Sequence, residues 1–219
     1  MAKFDFKGVI FDCDGVLLDS MKMWETMAPR FVESFGLVPE PNLNNIVFSM
    51  SMEQGTEYIC NKYPINVTPE EALQMLHRDI HDYYCESALA KEGAKELMEM
   101  LSAKGIKMNV ATSSPNKLVA AALERNGMLK YVNKIFTTSE VGESKHSPLV
   151  FNLAAEDMGL TAKDVIVCED SLYALKTAKA AGFTVIGVYD EYGEADQKGL
   201  EESSDLYVEH LGQAIESLS

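Results

Sequence analysis

Four short stretches carry side chains whose type and spacing could do chemistry, and each of them lies at or near the end of an apolar run. Asp12 and Asp14 follow Val9-Ile10-Phe11 and precede Gly15. Alternate residues of an extended strand point to one side, so these carboxylates are expected to converge while Cys13 turns away. Two anions so close need a cation. Oxygen donors select hard ions, and Mg2+ is the usual choice where the substrate is a phosphate. Gly15 lets the backbone turn or approach a ligand. Asp and Gly also end strands as plain turn residues, so the pair is informative only in company. Glu169-Asp170 is a second acidic pair, ending the run Val165-Ile166-Val167-Cys168, although acids there also serve as helix-dipole partners or N-caps. Thr112-Ser113-Ser114-Pro115 ends the run from Ile106 to Ala111. A strand-end hydroxyl beside free N–H groups at a helix start can hold phosphate oxygens. The plainer reading is a cap, with Ser113 or Ser114 as N-cap and Pro115 at the first helical position. Lys145 stands in the polar loop Val141 to Pro148, and by itself it reads as solvated.

The elements that must position these groups alternate. Strands are predicted over Val9 to Phe11, Ile106 to Ala111, Lys134 to Thr137, Val165 to Cys168 and Thr184 to Val188, with Leu206-Tyr207-Val208 as an edge strand. Amphipathic helices lie between them, which predicts an α/β fold with a doubly wound, mostly parallel sheet. The segment 19–90 breaks the alternation with helices alone. Met23, Met27 and Phe31 form one stripe; Ser51 and Thr68 open helices with capping boxes, the latter with Pro69 at the first position and running to about Ala88. The organisation expected is a core of 1–18 and 91–219 with an inserted helical domain, 19–90. His77, His81 and Cys85 share one helix face, but the outer two are roughly 12 Å apart at 1.5 Å per residue, too far for one zinc ion.

A chain of 219 residues with 47% hydrophobic and 24% charged residues is globular. Its formal net charge of -15 opposes nonspecific binding to nucleic acid or anionic membrane, leaving small molecules as partners. No apolar run reaches membrane-spanning length, and Cys13, Cys60, Cys85 and Cys168 form no C-x-x-C pair. The expectation is a reduced, cytoplasmic protein.

Taken in order, the four stretches resemble the motifs of the haloacid dehalogenase superfamily. Asp12-Cys13-Asp14-Gly15-Val16 matches D-x-D-G-[TV], and Thr112 stands at the family's strand-end Thr or Ser. Lys145, Pro148 and Phe151 keep the frame of K-P-x-P-D-x-[FY], from which His146 and Leu149 depart; Glu169-Asp170-Ser171 opens the last motif. The resemblance implies a Rossmann-like core and the helical-cap branch, which includes phosphatases and β-phosphoglucomutase. It implies that Asp12 is a nucleophile forming an aspartyl phosphate and that Asp14 is the acid and base. Thr112, the Ser113 amide and Lys145 would hold the phosphoryl oxygens. Asp12, the Asp14 carbonyl, Glu169 and Asp170 would hold Mg2+. The function expected is Mg-dependent hydrolysis of a small phosphorylated metabolite. A sugar-phosphate mutase is the alternative, less favoured because Trp24 stands about where the mutases carry a histidine and Val47 to Met52 offers no arginine. A phospho-accepting receiver domain is less consistent still, because of the inserted segment and Asp14. A dehalogenase would not need Asp14.

Overall fold

The computed structural model describes residues 4–48 and 50–219. Six strands form one sheet: β1 (Gly8–Phe11), β2 (Lys107–Thr112), β3 (Lys134–Thr137), β4 (Val165–Glu169), β5 (Thr184–Val188) and β6 (Leu206–Val208). Their spatial order is β3-β2-β1-β4-β5-β6 and every pairing is parallel. This is the doubly wound order, and strand order reverses between β1 and β4. Val9, Ile10 and Phe11 of β1 and Val165 to Cys168 of β4 are all buried, because crossover helices cover both faces of a parallel sheet. Asn109 is a buried polar residue in β2, satisfied by donating to Ala154 O and Asp157 Oδ2 and accepting from the Lys134 amide.

The core helices are α5 (Ala94–Ala103), α6 (Asn116–Arg125), α7 (Thr138–Val141), α8 (Leu149–Asp157), α9 (Leu172–Ala180), α10 (Gln197–Ser203) and α11 (Leu211–Leu218). Phe151, Ala154, Leu175 and Ala178 carry α8 and α9 onto the apolar cluster around Ile10 and Val167. Helix α6 departs from expectation. Its N-cap is Pro115, with ψ 131 and no side-chain capping bond, so neither Ser113 nor Ser114 caps it.

The chain divides into two compact units, one running to Ser20 and resuming at Ala88, the other spanning Met21–Ser87. Asp19 donates its amide to Leu89 O and Leu18 bridges Ala90, which keeps both crossing segments with the sheet. The second unit is helical: α1 (Met21–Ser34), α2 (Leu43–Phe48), α3 (Met52–Lys62), α4 (Pro69–Asp82) and a π-helical turn, Tyr83–Ser87. Both expected capping boxes are present, at Ser51 with Gln54 and at Thr68 with Glu71. Helix α4 ends earlier than its periodicity suggests, since the π turn takes over at Tyr83 and carries Tyr84 into the interior. Phe31, Val32, Leu43, Ile59 and Leu76 form this unit's own core. Trp24 donates its indole N–H to Tyr84 at 3.1 Å. His81 and Cys85 are neighbours at 3.6 Å, and His81 also meets Asp82. All four cysteines are free, and no described helix is long and apolar enough to cross a membrane.

Candidate active site

The site lies at the carboxyl ends of β1, β2 and β4, where doubly wound sheets bind their ligands at the reversal of strand order. Strand β1 stops at Phe11, so Asp12 and Asp14 straddle a bend and do not alternate along a regular strand. The bend is closed by Leu17 and Leu18 amides on Cys13 O and by the Gly15 amide on Leu18 O. Gly15 adopts φ 77, a left-handed conformation for which only glycine carries no steric cost.

Asp12 is buried, and its Oδ1 accepts from the Cys13 amide and from Lys145 Nζ, each at 2.7 Å. Among the described residues both of these contacts fall on Oδ1 and no hydrogen bond or ion pair falls on Oδ2. Burial pushes Asp12 up to about 7 despite the opposing pull of Lys145, with Glu169 and Asp14 adding to the rise. The ammonium group of Lys145 also sits 2.5 Å from Glu169 Oε1 and is only 3% exposed. Burial works against its charge, yet Asp12 and Glu169 outweigh that and hold its pKa above the ordinary lysine value. The lysine of a polar loop is therefore the interior counter-ion of two strand ends.

Asp12, Glu169 and Asp170 bring carboxylate oxygens within 4.8 Å of one another. Burial, then the charges of Asp12 and Glu169, raise Asp170 well above the usual carboxylate range. The ammonium of Lys145 pairs with two of the three carboxylates, Asp12 and Glu169, and the crowding of the three favours the protonated forms of Asp12 and Asp170 when no cation is bound. An all-oxygen donor set this close fits a hard divalent cation.

Asp14 is half-buried and held differently. Its Oδ1 accepts from Ser20 Oγ at 2.5 Å and its Oδ2 from Ser114 Oγ at 2.6 Å. Thr112 is buried at the end of β2, and its Oγ1 accepts from the Ser114 amide at 3.0 Å. Ser113, between them, is exposed. Ser20 and Ser114 thus meet at Asp14, although in the sequence Ser20 stands only at the start of the inserted segment and Ser114 reads as a helix cap. A hydroxyl two residues past a strand end, beside an acidic pair on the neighbouring strand, is the signal that could have marked Ser114.

Residues 9–188 match the family described as haloacid dehalogenase-like hydrolase, and the chain belongs to that family. It is an enzyme of the phosphatase type. A phosphorylated carbohydrates phosphatase of Thermotoga maritima is 27% identical over 176 residues, covering 80% of this chain and 82% of its own. A phosphoglycolate phosphatase of Escherichia coli K12 is 28% identical, with 89% and 87% covered. Among solved structures, one from Thermotoga maritima described provisionally as a β-phosphoglucomutase superposes with TM-score 0.83 at 26% identity, covering 97% of this chain and 98% of that one. CbbY of Rhodobacter sphaeroides, solved with phosphate, shares the fold at TM-score 0.77 and 18% identity, with 97% and 99% covered.

Proposed function

We propose that the chain hydrolyses a small phosphorylated metabolite through a phosphoryl-aspartate on Asp12, with a divalent cation, Mg2+ by the chemistry of its donors. The observation that carries this reading is the buried ammonium of Lys145 bridging Asp12 and Glu169 across two strand ends. Asp12 Oδ2 attacks phosphorus; the P–O bond to the leaving alcohol breaks as the Asp12–phosphoryl bond forms, and Asp14 gives its proton to the leaving oxygen. Water then attacks the phosphoryl-aspartate and Asp14 takes that water's proton, freeing Asp12 and inorganic phosphate. Ser20 and Ser114 fix both oxygens of Asp14 for the two transfers. Thr112, the Ser113 amide and Lys145 hold the phosphoryl oxygens, where transition-state charge gathers. Asp12, Asp170, Glu169 and the Asp14 carbonyl would hold the cation, which when bound neutralises charge on the transferred group.

The second reading, transfer of phosphate between hydroxyls of one sugar, needs a second phosphate-binding group in the helical unit. Trp24, which stands about where the mutases carry a histidine, has its indole N–H on Tyr84, which favours hydrolysis. The test is phosphate release from a panel of phosphorylated metabolites with and without chelator. Mass spectrometry after rapid quench should find the phosphoryl group on Asp12. A phosphoryl group on Asp14, or hydrolysis undiminished in excess chelator with no Mg2+-induced shift in thermal melting, would overturn these assignments. With β-glucose 1-phosphate and a bisphosphate primer, efficient formation of glucose 6-phosphate would favour the mutase.

A further inference from the structure

Lys145 sits in a stretch, 142–148, without regular structure. Helix α7 ends at Gly142 and α8 begins at Leu149 behind Pro148, which offers no side-chain cap. Within the loop the Ser147 amide bonds Ser144 O at 2.9 Å, which closes a turn around Lys145. Two contacts join the loop to the end of β4 and to the segment that follows it. One is the buried ion pair of Lys145 with Glu169. The other lies at the surface, where the rings of His146 and Tyr173 are stacked at 4.4 Å between centroids and 29° between planes. His146 and Tyr173 are both exposed, and Tyr173 stands in the first turn of α9, three residues after Asp170. The phenol is close enough to feel the site: partial burial and the charges of Glu169, Asp12 and Asp170 push its pKa up, against Lys145.

We propose that the His146–Tyr173 stack is a positioning clasp for Lys145, tying its loop to the start of α9 independently of charge. The inference rests on the reading above in which Lys145 holds the phosphoryl group. To do so the ammonium, which has three N–H donors and uses two of them on Asp12 and Glu169, must turn a donor to a phosphoryl oxygen as charge moves from Asp12 to the transferred group, so the ion pairs that hold the loop at rest change strength during each turnover. A ring stack is indifferent to that change and keeps the loop backbone in place while the ion pairs alter. Stacked aromatic pairs contribute modestly, so the clasp is expected to matter by small factors and not all or none.

The experiment uses the full chain with His146→Ala, Tyr173→Leu, the double variant and His146→Phe, which keeps a stacking ring without a titrating nitrogen. Amide hydrogen exchange of residues 144–147 is measured alongside kcat and KM for an aryl phosphate and inhibition by inorganic phosphate. Expected are exchange faster by roughly two- to tenfold in each single variant, a similar fall in kcat/KM, weaker phosphate inhibition and unchanged thermal melting. The double variant should be no worse than either single one, and His146→Phe should behave as wild type. Exchange unchanged in His146→Ala, additive losses in the double variant, or His146→Phe as impaired as His146→Ala would each overturn the clasp. Both side chains are exposed, so the variants fold; if one does not, the other single variant decides by the same readouts. A wild-type chain inactive on every phosphate ester would defeat the proposed function, while the exchange measurement would still decide whether the stack holds the loop.

Discussion

Lys145→Met removes one charge from the interior and keeps an unbranched apolar stem. In the wild-type chain two buried carboxylates, Asp12 and Glu169, pair with that ammonium beside a third, Asp170, and Asp12 already stands at about 7 because burial outweighs the lysine's pull. Without Lys145 the strongest influence lowering Asp12 is gone, and Asp12 and Asp170 move further up. Breaking a buried pair from one side costs about 3–5 kcal/mol, a large part of a typical total of about 5–15 kcal/mol. That loss applies only where the carboxylates stay ionised. Folded carboxyl groups above their unfolded value of about 3.9 bind more protons than the unfolded chain, so stability falls as pH rises from there to the folded value. Lys145 stays charged throughout this window, because its own folded value is raised. Urea denaturation in chelator should therefore show a loss of about 3–5 kcal/mol at about pH 8, shrinking to about 1 kcal/mol at about pH 5. Saturating Mg2+ should recover part of it at the higher pH. A variant as stable as wild type at about pH 8, or one equally destabilised at both pH values, would refute the charge argument.

Asp12→Asn should lower turnover at least about 10³-fold and abolish the phosphoryl-aspartate seen by mass spectrometry. It also removes a buried negative charge, so its metal-free melting temperature should equal or exceed that of wild type. Ser114→Ala withdraws one of the hydroxyls on Asp14 and should lower kcat roughly tenfold, as loss of a hydrogen bond to a charged group does, with little change in KM. For the wild-type chain in chelator, stability should fall between about pH 4 and about pH 7 by up to about 4 kcal/mol, since the raised value of Asp12 makes its ionised form the costly one. Mg2+ needs that ionised form, so its stabilising shift in calorimetry should grow over the same range; a shift independent of pH would refute the linkage.

The sheet was legible because buried parallel strands are continuous apolar runs between polar punctuation. Lys134–Thr137 and Thr184–Val188 have the bounds expected, and Leu206–Val208 joins as a parallel edge strand. Helix α2 escaped notice behind Pro39 and Pro41, being too short to show a period, and the π turn at Tyr83 imitates one more turn of α4. Locating acids at the ends of β1 and β4 needed only their place in the pattern. Their partners are another matter. Ser114 meets Asp14 across 100 residues and Lys145 meets Glu169 across 24, and no local preference encodes either contact. Lys145 illustrates the limit: its surroundings in the sequence describe a solvated residue, while the fold buries it between carboxylates.

The site is a local cost that its own strands offset. Buried like charges with one counter-ion lower stability by several kcal/mol, whereas Val9, Ile10, Phe11, Val165, Ile166 and Val167 contribute about 1.5–3 kcal/mol each, on the order of 10 kcal/mol together. The apolar run and the acids that end it are thus two halves of one device. The run holds the strand end rigid and dry, and dryness is what keeps Lys145 tightly paired and pushes Asp12 up. Charge-removing changes at the strand ends should consequently separate the two properties, with Asp12→Asn losing turnover but not stability. Changes that loosen β1 or β4 should lose both together, since water admitted beside Asp12 would weaken the pairing that the chemistry depends on.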